Sequence, residues 1–301
     1  MKKSILETIG ETPLIEINLS NRGSRILAKL EFLNPGGSIK DRMALYMIEK
    51  AEEEGRLKRG ITIIEATSGN TGIAFSMIAA VKGYKMIAVM PENMSLERQQ
   101  LIRAFGAKVV LTPAGKGPRG AIAKRNQLAK EVGDAWIPGQ FENINNIIAH
   151  KETTGREIIK QTDGKIDVFV AGVGTGGTLM GVAQALREVN SSVMIVAVEP
   201  TESAVMSGGN AENHNIQGIG EGFIPELVDL EIIDRIEKVS TKNAERMSKE
   251  LALREGILAG ISSGANMVAS LRMAKKLGEN KTVVTVLPDR GERYFSQGIF
   301  N

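Results

Sequence analysis

The sequence predicts an α/β fold with two domains, each built on a twisted, largely parallel sheet flanked by helices. Short apolar strand patterns alternate with helical patterns along the whole chain. Strands that are apolar on both faces are typical of parallel sheets covered by helices on both sides. The chain has 301 residues, which is long enough for two separate cores.

The individual elements follow from apolar periodicity and from glycines placed at helix ends. The predicted strands cover residues 61–65, 85–90, 108–112, 167–171, 193–198 and 282–287. The predicted helices cover residues 40–55, 73–82, 96–105, 120–132, 145–161, 178–189 and 243–255. Residues 113–119, which are rich in glycine and proline, are predicted to form a surface loop.

A lysine stands at the start of the first long predicted helix. Residues 34–42 read Asn-Pro-Gly-Gly-Ser-Ile-Lys-Asp-Arg, with Ser38 as the predicted N-cap and Asp41 as its capping-box partner. Lys40 then lies near the positive end of the helix dipole, which disfavours its charged form. A neutral amine in this place can attack a carbonyl. An ordinary exposed lysine after a turn fits the same pattern.

Two turns of small residues each connect a strand to a helix. They are residues 66–72, Ala-Thr-Ser-Gly-Asn-Thr-Gly, and residues 172–178, Gly-Val-Gly-Thr-Gly-Gly-Thr. Such turns direct several backbone N–H groups at an anion, although either one alone also fits a tight connection. Two anion sites and Lys40 together suit a ligand with a carboxylate, a phosphate and an aldehyde. Pyridoxal phosphate carrying an amino acid is such a ligand.

The second turn also matches a dinucleotide-binding pattern. Gly172, Gly174 and Gly177 give Gly-x-Gly-x-x-Gly, and Glu199 follows where a ribose-binding acid is expected. This leaves an NAD(P)-dependent oxidoreductase as a minor alternative. It gives no task to Lys40 or to the first turn.

Motifs along nearly the whole chain resemble the cysteine synthase/cystathionine β-synthase family. The fold that this resemblance implies is the tryptophan synthase β-like fold of fold-type II pyridoxal-phosphate enzymes. The motifs are Thr-Pro-Leu at 12–14, residues 34–42, 67–72, Pro-Glu-Asn-Met-Ser at 91–95, Gly-Gln-Phe at 139–141, residues 172–178, Gln-Gly-Ile-Gly at 217–220, Gly-Ile-Ser-Ser-Gly at 260–264 and Gly-Glu-Arg-Tyr at 291–294.

The resemblance assigns a role to each site residue. Lys40 would bind the cofactor aldehyde, Asn70 its ring hydroxyl and Ser262 its pyridine nitrogen. The residues expected at the phosphate are Gly174, Thr175, Gly176, Gly177 and Thr178, and those expected at the substrate are Thr67, Ser68, Asn70, Thr71, Gln140 and Gly218. The more distant serine racemases and threonine dehydratases usually carry histidine at the position of Thr71.

The resemblance also implies the reaction. A transferase of cysteine biosynthesis would convert O-acetyl-L-serine and sulfide into L-cysteine and acetate through an α-aminoacrylate. Residues 216–222 contain no arginine or lysine, which favours acetylserine over phosphoserine as the donor. Glu221 departs from the small residue common in cysteine synthases, so a cystathionine- or lanthionine-forming β-replacement with a thiol amino acid stays open. A catalytically inactive relative that acts as a binding module is another alternative.

Composition argues against several other classes of protein. The net charge is +3, the basic residues are dispersed and only 4% of residues are aromatic, which gives nucleic-acid binding little support. There is no cysteine, and His150 and His214 are the only histidines, so no metal site is expected. Neither an apolar signal segment nor a run of about 18 apolar residues is present, so we expect a cytoplasmic protein that does not enter a membrane.

The resemblance, not a visible linker, gives the domain boundaries. Residues 1–12 and 35–145 would form an N-terminal domain carrying Lys40 and the substrate loop. Residues 13–34 and 146–301 would form a C-terminal domain carrying the phosphate loop. Besides the amino acid and sulfide, the expected partners are a second copy in a homodimer and, as a candidate, serine acetyltransferase.

Overall fold

The computed structural model describes residues 1–19 and 24–300, and two β-sheets organise this part of the chain. The strands are β1 (Leu14–Glu16), β2 (Arg25–Lys29), β3 (Thr62–Ala66), β4 (Lys85–Pro91), β5 (Lys108–Thr112), β6 (Ala135–Trp136), β7 (Val168–Gly172), β8 (Met194–Pro200), β9 (Arg235–Val239) and β10 (Thr282–Val286). The helices are α1 (Lys40–Glu53), α2 (Asn70–Lys82), α3 (Leu96–Ala104), α4 (Gly117–Val132), α5 (Asn145–His150), α6 (Arg156–Thr162), α7 (Gly177–Val189), α8 (Thr241–Glu255) and α9 (Ile261–Leu277).

Both sheets are dominated by parallel pairs. Within the described residues, the smaller sheet has the order β5-β4-β3-β6 and is parallel throughout. The larger sheet has the order β1-β2-β10-β7-β8-β9, and only its edge strand β1 is antiparallel. The prediction of an α/β fold with largely parallel sheets is therefore confirmed.

Each sheet has its own apolar core. Helices α1 and α2 pack on the smaller sheet, and the predicted apolar face of α1 is buried there. Two clusters cover the faces of the larger sheet, one with α9 and one with α7. Strand β3 is buried along its whole length, as expected for a strand covered by helices on both sides.

Two predicted segments differ from the structure. The loop predicted at residues 113–119 is wrong, because Ala114–Lys116 form a 3-10 helix and α4 begins at Gly117 with a proline in its first turn. The single helix predicted at 145–161 is also wrong. A π-helical segment, Lys151–Gly155, separates α5 from α6, which apolar periodicity alone does not reveal.

The strand pairing bears on the predicted domain boundaries without testing them. Strands β1 and β2 precede all strands of the smaller sheet in the chain, but they join the larger sheet through the β2–β10 pair. The division into residues 1–12 with 35–145 and 13–34 with 146–301 stays a prediction. Residues 20–23 and 301 lie outside the described residues. No helix in the described ranges is long and apolar enough to cross a membrane.

Candidate active site

Lys40 is the first residue of α1, and its side chain lines a cleft. Burial among the surrounding groups lowers the pKa of Lys40, while Glu221 and Asp289 act in the opposite direction. The predicted capping box is wrong. The Oγ of Ser38 accepts a hydrogen bond from the backbone N–H of Lys40 (3.3 Å), but the carboxylate of Asp41 accepts from the N–H of Gly36 (2.5 Å) instead.

The Asp41 contact has a structural consequence for the elbow before the helix. A side chain at Gly36 would overlap the carboxylate of Asp41, so only glycine fits there. The carboxylate is fully buried, and burial raises the pKa of Asp41 from 3.8 to about 7. Asp41 therefore braces the turn that presents Lys40.

Most residues predicted to bind the cofactor line the same narrow cavity as Lys40. This cavity lies between the start of α2, the turn before α7 and the start of α9. The predicted residues that line it are Lys40, Asn70, Gly174, Thr175, Gly176, Thr178, Gly218 and Ser262. Helix α9 begins at Ile261, not near Gly264 as expected, so Ser262 lies in its first turn and is not its N-cap.

Glycines in the second turn allow close approach of the backbone. A Cβ on Gly174 would overlap the carbonyl oxygen of Gly218, and Gly176 has φ +90°, which side chains rarely adopt. Gly177, which begins α7, packs against Asn146. The turn thus places backbone N–H groups at a helix N-terminus, an arrangement suited to a phosphate.

Thr67 and Ser68 line a second cavity of about 300 Å³, adjacent to the first. Gln217, Gly218 and Ile219 line both cavities and so mark their junction. The Oγ1 of Thr67 accepts hydrogen bonds from the N–H groups of Gly69 (2.9 Å) and Gly72 (3.1 Å). Its hydroxyl proton can therefore be donated to a ligand.

Thr71 and Gln140 are also predicted substrate residues, but they are buried and bond to each other. The Oγ1 of Thr71 donates to the Oε1 of Gln140 (2.7 Å), and the Nε2 of Gln140 donates to the carbonyl of Ala66 (2.8 Å). Neither lines the two cavities described above. This leaves the second N–H of the Gln140 amide as the polar hydrogen of the pair able to reach a ligand.

Several polar residues of the site are not singled out by the sequence. Asn146 on α5 donates from Nδ2 to the carbonyl of Gln140 (2.8 Å) and to the Oγ1 of Thr175 (3.0 Å), and so connects the two turns. Asn70 donates from Nδ2 to the Oδ2 of Asp289 (2.7 Å), and its Oδ1 accepts from Arg293. The Gly-Glu-Arg-Tyr motif containing Arg293 was a signal, but its contact with Asn70 was not visible in it.

Two residues that could suggest other chemistry have structural roles. The carboxylate of Glu199 accepts from the N–H of Met206 (2.8 Å) and from the hydroxyl of Ser207, so the chain itself occupies the expected ribose-binding acid. His150 is fully buried and contacts Thr154 (2.9 Å) and Thr178 (3.3 Å). Burial moves the pKa of His150 well below its usual value, which keeps the ring neutral.

Glu221 gives the larger cavity an acidic group near Lys40. It lines that cavity together with Glu212, and no arginine or lysine is among the described lining residues. Desolvation raises the pKa of Glu221 to about 7, partly offset by the charge of Lys40. The cavity can therefore carry a negative charge whose amount changes near neutral pH.

Comparison with known proteins identifies the family. The family model described as pyridoxal-phosphate dependent enzyme matches residues 5–289. The chain belongs to the pyridoxal-phosphate-dependent enzymes. A cysteine synthase of Staphylococcus aureus (strain N315) is 50% identical over 301 residues, covering 99% of this chain and 97% of that protein.

Solved structures of pyridoxal-phosphate-dependent enzymes show the same fold. The cysteine synthase of Entamoeba histolytica superimposes with a TM-score of 0.94 at 44% identity, covering 100% of this chain and 91% of that one. The O-acetylserine-dependent cystathionine β-synthase of Helicobacter pylori gives 0.96 at 40% identity, covering 100% and 99%. These matches confirm the predicted family and fold.

The cofactor is pyridoxal phosphate. The donor set fits this group, because a lysine of lowered pKa and a glycine-rich turn at a helix N-terminus line one cavity. The NAD(P)-dependent oxidoreductase alternative is wrong, since Glu199 is held by its own chain and the family match covers nearly the whole sequence.

Proposed function

We propose that this enzyme catalyses β-replacement on O-acetyl-L-serine with sulfide, forming L-cysteine and acetate. The observation that carries the proposal is the shared junction of two cavities. One contains Lys40 and the phosphate-type turn, and the other is bounded by the Thr67–Ser68 turn. The cysteine synthases of Staphylococcus aureus and Entamoeba histolytica, which match over nearly the whole chain, support this choice.

Lys40 is assigned two tasks in succession. Its Nζ would hold the cofactor aldehyde and, once displaced by the amine of the substrate, would take the α-proton. Burial lowers the pKa of Lys40, and the start of α1 also favours the neutral amine that both tasks need. The bound cofactor supplies an electron sink for the carbanion chemistry.

Three residues or segments would hold the cofactor ring and phosphate. The N–H groups of the turn from Gly174 to Thr178 would bind the phosphate, and Asn70 would bond the ring hydroxyl. Ser262 would face the pyridine nitrogen with a neutral hydroxyl, since it lines the cavity in the first turn of α9. A neutral partner makes a weaker electron sink than a carboxylate, which suits loss of a β-substituent.

The substrate carboxylate would lie at the start of α2. Thr67 and Ser68 are the exposed donors of this turn, and the free N–H of Gln140 stands close behind it. Thr71 would act by fixing Gln140, because its hydroxyl proton is already donated there. Gly218 would contribute a backbone group from the opposite wall.

The donor is expected to be acetylserine and not phosphoserine. A phosphoserine site needs a fixed cation near the leaving group, and the described lining of the larger cavity contains none. Glu221 adds a carboxylate whose charge would repel a phosphate. Acetyl, which is neutral, meets no such repulsion.

The same features favour a second candidate, in which the acceptor is a thiol amino acid. A cavity of about 300 Å³ is far larger than sulfide requires, and Glu221 can attract an ammonium group. The product would then be cystathionine or lanthionine. The similarity to the O-acetylserine-dependent cystathionine β-synthase of Helicobacter pylori supports this candidate.

Kinetics with matched substrates test both candidates. We would measure kcat/KM for acetylserine, phosphoserine and serine, each with sulfide, homocysteine and cysteine. Acetylserine with sulfide should give the highest value, and a preference for phosphoserine would contradict the electrostatic argument. If homocysteine or cysteine exceeds sulfide, and Glu221→Gln lowers only those values by about tenfold, the second candidate is correct.

A chemical test of the lysine is independent of the substrates. Borohydride reduction of the loaded enzyme followed by peptide mapping should leave the cofactor attached to Lys40. Attachment to another lysine would refute the assignment.

The remaining assignments rest on the resemblance to cysteine synthases. We propose a cytoplasmic homodimer, with serine acetyltransferase as a candidate regulatory partner. Light scattering of the purified enzyme, alone and with the acetyltransferase, tests both associations.

A further inference from the structure

A buried arginine lies beneath both cavities of the site. Arg98, in the first turn of α3, is the largest fully buried side chain among the described residues and is 1% exposed. Burying a guanidinium is costly unless its donors are paired. The partners of Arg98 therefore indicate what this cost maintains.

The guanidinium bonds to segments that are distant in sequence from α3. Its Nη2 donates to the hydroxyl of Tyr294 (2.7 Å) and to the Oδ2 of Asp289 (3.3 Å). Its Nη1 donates to the Oε1 of Gln217. The guanidinium also stacks over the Tyr294 ring, with 4.5 Å from its central carbon to the ring centroid.

Each of these contacts leads to a residue that lines the site. The Oδ2 of Asp289 also accepts from the Nδ2 of Asn70 (2.7 Å), and Asn70 lines the cavity that contains Lys40. Gln217 lines both cavities, and its Oε1 is taken by Arg98, which leaves its NH2 as the free end. Arg98 thus orients one residue directly and another through Asp289.

The stem of Arg98 has a separate contact. A Cβ on Gly69 would overlap the Cγ and Cδ of Arg98, so the aliphatic part of the arginine packs directly under the substrate turn. The head and the stem therefore serve different parts of the site. A substitution that keeps the stem but loses the planar head separates the two.

We infer that Arg98 is a positioning residue whose guanidinium sets the orientation of Asn70 and Gln217 around the cofactor cavity, while its stem supports the substrate turn. This inference rests on the proposed function for the identity of the reaction. It does not rest on that function for the state of the bound cofactor, which can be observed without substrate.

Arg98→Lys is the main test, because lysine retains the stem and the charge but lacks the planar fork. Relative to wild type, we expect a changed absorption band of the bound cofactor and about a tenfold loss in kcat, the scale of one lost charged hydrogen bond. The KM for the amino acid should stay within about threefold because the stem remains under Gly69. Arg103→Lys, on the exposed end of the same helix, is the matched control and should match wild type.

Tyr294→Phe is the second variant and keeps the ring beneath the guanidinium. It removes the hydroxyl that accepts from Arg98 and donates to Asp289 at 2.9 Å. It should shift the cofactor absorption in the same direction with a smaller loss of kcat. If Arg98→Lys does not fold, this variant alone decides the question.

Three outcomes would overturn the inference. Wild-type kcat and cofactor absorption in both variants, with only a lowered melting temperature, would show a purely structural role. A raised KM with unchanged kcat would place the effect on the substrate turn. Wild-type absorption and kcat in Tyr294→Phe, when Arg98→Lys cannot be purified, would also refute it. Failure of the proposed function would appear differently, as wild-type enzyme inactive on acetylserine while the absorption difference persists.

Discussion

Replacing Thr67 with valine tests the assignment of the first turn to the substrate carboxylate. Valine keeps the shape of threonine but removes the hydroxyl, which accepts from the N–H groups of Gly69 and Gly72 and lines the larger cavity. Thr67 is 4% exposed, so both N–H groups lose a buried acceptor. The substrate carboxylate would lose a donor worth roughly 1.5–3 kcal/mol, because it is charged.

The expected result is an affinity for the amino acid that falls by about 10- to 150-fold. Titration of the loaded enzyme with acetylserine or a product amino acid, followed by cofactor absorbance, measures the dissociation constant. Thr67→Ser is the control, since it keeps the hydroxyl and should bind within about threefold of wild type. Cofactor content should be unchanged in both variants, because the turn at Gly174 binds the phosphate in our assignment. Loss of cofactor with unchanged amino-acid affinity would show that the roles of the two turns are reversed.

Two further predictions concern the cofactor turn and the brace of the elbow. Gly174→Ala should lower cofactor affinity, because its Cβ would overlap the carbonyl of Gly218, whereas Gly115→Ala meets open space and should not; equal cofactor content in both would refute this. Asp41 has a pKa raised from 3.8 to about 7, so the folded state binds its proton more tightly than the unfolded state. Its stabilising contribution is complete below about pH 4 and is lost as the pH rises through about 7. Urea unfolding should therefore show Asp41→Asn gaining stability relative to wild type between those values, and a pH-independent difference would contradict the argument.

The fold and much of the candidate site could be predicted from the sequence because their signals are local. Strands β3 and β7, the turns that follow them, and α1 with Lys40 at its start are each specified by a few neighbouring residues. The motifs around Ser262 and Gly218 identified further cavity residues through resemblance.

Predictions failed where the partner of a residue was not its expected neighbour. Asp41 bonds back to Gly36 instead of completing a capping box with Ser38, and the choice between these two acceptor geometries depends on how the elbow packs. The π-helical segment before α6 failed for a similar reason. Its apolar spacing is compatible with a regular helix, and packing against α7 accompanies the different hydrogen-bond pattern.

The sequence by itself determined the class of fold, the attacking lysine and the two anion-binding turns, because helix starts, glycine turns and apolar strands arise from interactions within a few residues. The tertiary structure decided which polar groups support them. Asn70 and Asp289 are 219 residues apart, and Arg98 and Tyr294 are 196 apart, yet each pair shares a buried hydrogen bond. Such pairs have no local signal in the chain. The raised pKa of Glu221 likewise depends on desolvation, which exists only once the cleft has closed around it.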